Sequence, residues 1–313
     1  MIEKFSSLFL KKGDFLMNSL SNLKRQKMMW AGFFILPTVL YVCVMNVWPI
    51  MQSIYFSFNQ IKGLGQPKWI GFDNYIKAFQ DPDLRRALWN TFVYTIVTVP
   101  VGTALSLVTA VFLNSKIKFK SFFRVLYFIP VVSAPAAVAM VWRWLYNYDS
   151  GLINYLLSLV GISGPNWIAD NNVVLIAIMI VGIWSALGYN MIILLGGLQD
   201  IPKTYYEAAE MDGAGPIRQF FNITIPMLSP TLFFVVTTTF ISSLQVFDTI
   251  FMMVDKKNPA LKSAESIVYL FYRETFDANN KGYGATIAVL LLLLILVCTA
   301  VQMKLQKKWV HYK

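Results

Sequence analysis

Few side chains in this sequence have the types and spacing to do chemistry, and they fall in two groups. One is a polar stretch between apolar runs, EAAEMDGAGPIRQFFNITIP at 207–226, with three acids (Glu207, Glu210, Asp212), two turn glycines (Gly213, Gly215) and Arg218. The other is set singly into apolar runs: Asn190, Gln245 and Asp248. Neither group pairs a nucleophile with a base. The single histidine, His311, stands at the chain's end, and Cys43 and Cys298 both sit in apolar runs, so neither a metal site nor a disulfide framework is expected. A carboxylate within an apolar run is costly and a functional candidate by default. The bland alternative for Asp248 is a place near the outer end of its run, solvated or paired, and Arg143 is either that partner or a snorkelling side chain. Gln245 and Ser242, three and six residues before Asp248, share its face if the run is helical. The chemistry on offer is binding: hydrogen bonds and charge presented to a ligand or a partner.

These groups are held by a chain with little charge. Of 313 residues, 57% are hydrophobic and 14% charged, where a soluble domain carries about 25% charged residues. The 24 Phe, 15 Tyr and 9 Trp suit apolar and interfacial surface. This is the composition of a membrane protein. A net charge of +11 would suggest nucleic acid in a soluble protein. No arginine-rich groove or sequence-reading motif accompanies it, so the expected surroundings are a lipid bilayer and no nucleic acid. The basic start is followed by a short apolar patch and more charge, which is not a signal-peptide pattern.

Uncharged stretches mark the spans: 34 residues between Lys27 and Lys62, 29 between Arg86 and Lys116, 18 between Arg124 and Arg143, 29 between Asp170 and Asp200, 29 between Arg218 and Asp248, and 22 from Gly282 to Met303. A helix of roughly 20 residues crosses the hydrocarbon. The sequence therefore predicts an all-α membrane protein with six transmembrane helices at about 29–57, 89–113, 123–146, 173–197, 228–251 and 284–305. Pro37, Pro100, Pro130 and Pro135 predict kinks or helix ends that face protein, because lipid tolerates no exposed irregular backbone. Small residues around Pro135 (Ser133, Ala134, Ala136, Ala137, Ala139) allow close helix packing or line a path through the membrane. Leaving aside Arg143 and Asp248, alternate connecting segments put sixteen basic and six acidic residues on one side, and ten basic and nine acidic on the other. The positive-inside rule makes the first side cytoplasmic. Residues 1–28 and 307–313 are then cytoplasmic ends of a 29–306 transmembrane domain in the plasma membrane. The outer loops, 58–88, 147–172 and 252–283, carry short amphipathic pieces at 69–79 and 151–162 that cannot span.

This topology puts the polar stretch 207–226 in a cytoplasmic loop, 202–226, between spans four and five. Pro202 opens a helix at its first position, or Thr204 and Glu207 form a capping box. YYEAAEM propagates the helix and Gly213 and Gly215 break it. Pro216 restarts a second short helix, and Pro226 and Pro230 bracket the entry to span five. Ala208 and Ala209 expose little bulk, so a partner can approach closely, with Glu207, Glu210 and Asp212 offering it charge. An amphipathic interfacial linker is the other reading.

The loop resembles the EAA loop of binding-protein-dependent ABC importer permeases: EAA, three residues, Gly, nine residues, Ile, one residue, Leu, Pro. Here Glu207-Ala208-Ala209, Gly213, Ile223 and Pro226 stand at that spacing, with Ile225 where Leu is usual. WIGFDNY at 69–75, residues 90–114, 122–154 and 243–253 extend the likeness to the carbohydrate-type group, which includes maltose, glycerol-3-phosphate and multiple-sugar permeases. The resemblance implies a coupling helix seated in an ATPase subunit, with Glu207, Ala208, Ala209, Asp212 and Gly213 making or shaping the contact. It also implies a second, homologous permease subunit, an extracellular or periplasmic solute-binding protein, and a sugar substrate. No Gly-x-x-x-x-Gly-Lys-Ser/Thr loop is present, so ATP and magnesium are expected on the separate ATPase and no cofactor on this chain. Asn190, Gln245 and Asp248 are the substrate-path candidates, with Trp184, Tyr189 and Phe247 as stacking surfaces. The alternatives are the same architecture carrying a glycerol phosphodiester or polyol, and, further off, a secondary transporter or channel. An integral membrane enzyme would need a polar catalytic cluster that this sequence lacks.

Overall fold

The computed structural model describes residues 26–63, 65–115 and 118–310. Most of the expected cytoplasmic segment 1–28, and His311, lie outside the described residues. The chain divides into two units, Met1–Tyr55 and Phe56–Lys313. The described residues of the first belong to helix α1, which runs over Gln26–Ser57 with a π turn at Cys43–Val47. Its 32 residues reach about 48 Å at 1.5 Å per residue, more than the hydrocarbon needs.

The second unit begins with a two-stranded antiparallel hairpin, β1 (Asn59–Gln60) and β2 (Lys68–Trp69), in which Asn59 faces Trp69 and Gln60 faces Lys68. Helices then follow in the order α2 (Asp73–Gln80), α3 (Pro82–Asn114), α4 (Lys120–Val132), α5 (Pro135–Leu145), α6 (Leu152–Leu159), α7 (Val174–Gln199), α8 (Lys203–Met211), α9 (Pro216–Leu244), α10 (Asp248–Met253), α11 (Leu261–Ala264), α12 (Ile267–Tyr272) and α13 (Lys281–Trp309). Helices α1, α3, α7, α9 and α13 are each long and apolar enough to cross a membrane, and α4 with α5 makes a bent sixth.

Three of the expected spans are changed by local chemistry. The second starts at Pro82 rather than 89, because Asp81 accepts a 2.9 Å hydrogen bond from the Asp83 amide and Pro82 fills the first helical position. The third is two helices bent by 104° at Ser133–Ala134. Pro135 forbids the helical conformation to Ala134, whose ψ is 132°. Pro130 and Pro100 instead stay inside helices, Pro130 buried and Pro100 exposed, so Pro100 does not face protein within this chain. The fifth, expected at 228–251, begins at Pro216 and stops at Leu244. The second short helix expected after Gly215 is therefore the start of α9 itself, joined to the rest through a π turn at Phe220–Thr224.

Helices α3 and α7 pack along each other as the centre of this unit, with α9 against both and α4 against α7. Gly188 makes the last contact possible, since a Cβ there would overlap the Tyr127 carbonyl. One apolar cluster joins Ala110, Leu113, Met191, Leu194 and Leu228; a second joins Tyr146, Val174, Ile178 and Met253; a third joins Leu84, Leu270, Tyr283 and Ile287. Between the first two clusters the facing side chains turn polar.

Candidate functional site

That polar stretch encloses a cavity of about 400 Å³ among α3, α7, α9 and α10, within the roughly 300–1,000 Å³ range of small-molecule sites. Helix α7 supplies Gly182, Ser185, Ala186, Tyr189 and Asn190, which recur at three- and four-residue steps on one face. Helix α9 supplies Thr238, Thr239, Ser242 and Ser243, and α3 contributes Tyr94. The Tyr94 hydroxyl lies against Gly182, where a Cβ would displace it. The floor is partly fixed: Asn190 is buried and donates 3.0 Å to Thr239 Oγ1, and Thr98 and Ser243 share a 3.3 Å hydroxyl contact.

All three substrate-path candidates, Asn190, Gln245 and Asp248, line this one cavity. They arrive by a route the helical spacing did not anticipate. Gln245 is the cap of α9, Phe247 has φ −142° and ψ −58°, and Asp248 is the first residue of a separate short helix. The expected shared helical face of Ser242, Gln245 and Asp248 does not exist; a break in the helix brings them together. Ser266 holds that break, donating 2.6 Å to the Val246 carbonyl while accepting 3.1 Å from the Tyr269 amide as the cap of α12. Tyr189 and Phe247 line the cavity, but Trp184 does not: it packs edge-on to Trp142 at 5.6 Å. Arg143 pairs with Asp255 at 2.9 Å rather than with Asp248. The hydroxyls of Thr238, Thr239 and Ser243 were missed, although TTTFISSL at 237–244 is a dense hydroxyl run in an apolar span.

A larger hollow, about 570 Å³, opens at the N-terminal end of α3, bounded by Asp73, Lys77, Asp81, Asp83, Arg273 and Glu274. Most of its charges are spent on one another. Arg273 meets Asp83 at 2.8 Å and the buried Glu265 at 2.9 Å, Arg86 meets Asp83 at 3.1 Å, and Tyr283 donates to Asp81. Burial pushes the Glu265 carboxyl up to about 7, against the opposing pull of Arg273. This network is a brace between α3 and the segment between α10 and α13, which makes the smaller polar cavity among the spans the better ligand site.

The second candidate is the loop after α7. Pro202 caps α8 from outside with ψ 133°, so neither the Pro-first start nor the Thr204–Glu207 capping box forms. The far end is a Schellman turn: the Ala214 amide bonds the Ala209 carbonyl at 2.8 Å, the Gly213 amide bonds Glu210 at 3.0 Å, and Gly213 has φ +76°. Glu207, Ala208, Asp212 and Gly213 are exposed and Ala209 half-buried. Met211 (89% exposed) and Ile217 (77%) stand beside them, which gives the loop an apolar contact patch flanked by acids. Tyr206 hydrogen-bonds Thr224 at 2.9 Å, tying α8 to the π turn of α9.

The model of the family described as binding-protein-dependent transport system inner membrane component matches residues 82–311. The arabinooligosaccharides transport system permease protein AraP of Bacillus subtilis is 32% identical over 274 residues, 87% of each chain. The sn-glycerol-3-phosphate transport system permease protein UgpA of Pectobacterium atrosepticum is 28% identical, covering 89% of this chain and 94% of that one. A crystal structure of a bacterial ABC transporter involved in the import of the acidic polysaccharide alginate superposes with a TM-score of 0.81 at 20% identity, over 92% of this chain and 98% of its own, and so shares the fold.

Proposed function

On the premise that the chain belongs to the binding-protein-dependent transport system inner membrane components, we propose that it is the permease subunit of an ATP-driven importer for a sugar or oligosaccharide. The observation that carries this reading is the exposed α8 loop, closed by the Gly213 turn and tied to α9. Helix α9 runs unbroken from that loop to Leu244, where its last turns form the hydroxyl wall of the cavity. A push on α8 thus has a stiff lever to the ligand site. An ATPase subunit seated on Glu207, Ala208, Ala209, Asp212 and Gly213, itself holding ATP and magnesium, supplies the push. Substrate contacts come from Asn190, Gln245 and Asp248.

The transported solute keeps its covalent bonds, and this chain supplies a weak site whose access alternates. Two states of the bundle are biased by nucleotide on the cytoplasmic side and by a loaded solute-binding protein on the outer side, each through its differential affinity for them. A second, homologous permease subunit completes the path. Both termini face the cytoplasm, as the distribution of basic residues favours.

Affinity purification of the tagged, solubilised chain from its own cells tests the reading. Co-purification of an ATPase and a second permease is the expected result. A chain that runs alone, even after mild crosslinking, would remove the coupling role and favour a carrier or channel.

A further inference from the structure

The cavity among α3, α7, α9 and α10 has a lining of one electrical character. Of its fifteen residues, eight carry hydroxyls, two carry amides, one is a carboxylate, and none is Lys, Arg or His. The single formal charge is Asp248, exposed at the start of α10. Cations on the flanking elements are already engaged away from it: Arg143 with Asp255 at 2.9 Å, and Lys256 with Asp277 at 2.8 Å. Among the described residues, no basic side chain of this unit lines the cavity to offset a second negative charge.

The polar groups that remain available suit a particular ligand. Ser185, Tyr189, Ser242, Thr249 and the Asp248 carboxylate make no hydrogen bond within the chain among the described residues, whereas Asn190 and Ser243 are committed to the wall. Hydroxyl side chains both donate and accept, the carboxylate accepts only, and a sugar hydroxyl complements either. A hydroxyl donated to a carboxylate makes one of the stronger hydrogen bonds open to a neutral ligand. The rings of Tyr189 and Phe247 offer flat apolar faces to the carbon skeleton of a sugar. A phosphate, sulfonate or uronate brought into the same space meets Asp248 at short range, loses its hydration and gains no cationic partner.

We propose that this cavity selects uncharged polyhydroxyl solutes, neutral oligosaccharides above all, and rejects anionic ones, with Asp248 as the discriminating residue. This rests on the importer reading and narrows it: the glycerol phosphodiester alternative is excluded, and the chain parts company with relatives whose names specify a phosphate or an acidic polysaccharide.

The test uses the chain in membrane vesicles with its native partners. Ser242→Cys is built in a Cys43→Ser, Cys298→Ser background, with Thr249→Cys as a second reporter should the first not assemble. Labelling by cationic aminoethyl and anionic sulfonatoethyl methanethiosulfonate is compared, each rate being normalised to a cysteine at Asp149 in the outer loop. The cationic reagent is expected to be favoured by about tenfold, a coupling of ~1.4 kcal/mol, and Asp248→Asn should bring the ratio towards one. A mixture of neutral arabino-, xylo- and malto-oligosaccharides should protect the cysteine, while oligogalacturonates and glycerol phosphate should not. Equal or faster anionic labelling, or protection by the anionic solutes, overturns the selectivity, as does a failure of every neutral saccharide to protect. None of these outcomes touches the importer reading, which stands or falls on co-purification of the ATPase.

Discussion

Gly213 adopts φ +76° with nothing within 4 Å of where a Cβ would stand, so the cost of replacing it is backbone strain and not a clash. A left-handed residue costs about 1–2 kcal/mol, and a β-branched one more. Gly213→Val is therefore expected to leave the purified chain folded by size exclusion while co-purified ATPase falls severalfold. Unchanged ATPase recovery would remove Gly213 from the contact. Glu265, buried beside Arg273, gives a pH-dependent signature. Its pKa rises from the ordinary glutamate value of 4.5 to about 7 through burial, so the folded chain holds the proton more tightly than the unfolded chain. The stability it contributes is full below about pH 4.5 and is lost as pH rises through 7. In Glu265→Gln, melting followed in detergent should decline less between those two pH values than in the wild type, with Arg273 still held by Asp83. A parallel decline in both proteins would contradict the assignment. At this scale a rare residue type in an apolar run pointed to one place in the fold, since Asn190 and Asp248 line the same cavity. The sequence was silent where meaning came from a distant partner: nothing in the spacing joins Arg273 to Asp83, or Arg143 to Asp255.

Two contacts set the helices around the cavity: the break that ends α9 and the packing of α4 on α7. The break after Leu244 is held by Ser266, which also caps α12. Ser266→Ala removes both bonds and should cost about 1–2 kcal/mol, seen as a lower melting temperature in detergent, together with faster labelling of a Ser242→Cys reporter. Wild-type values on both counts would show that the break is held by other contacts. At the other contact, Gly188→Leu forces α4 away from α7 at the Tyr127 carbonyl. Overpacking of this kind costs roughly 1–3 kcal/mol, and the variant is expected to yield little folded protein. The existence and order of the long helices were legible from uncharged stretches, because hydropathy dominates in lipid. Their ends were less so. The 104° bend at Ser133–Ala134 was signalled by Pro135 without its size, and the stop at Leu244 has no proline or glycine to announce it. The hairpin of β1 and β2 was hidden in the connecting segment after α1, since two-residue strands have no period to detect.

At the scale of the whole molecule, the proposed mechanism joins a cytoplasmic contact on α8, the continuous helix α9 and the polar cavity in one direction of transport. Its orientation has its own check. A cysteine at Asp149 should react with a membrane-impermeant maleimide in intact cells, and one at Lys307 only after permeabilisation; the reverse pattern would invert the topology and take α8 away from any ATPase. The apolar stretches and the EAA spacing made the helical membrane fold and the family legible in the sequence, because both signals are local. The cavity was not, because it is assembled from four helices and a break. The most direct measurement of the central claim is solute uptake into proteoliposomes holding the co-purified complex, with ATP inside and the loaded binding protein outside. The account predicts saccharide accumulation that requires ATP and is lost with Gly213→Val; accumulation without ATP, driven by an ion gradient alone, would contradict it.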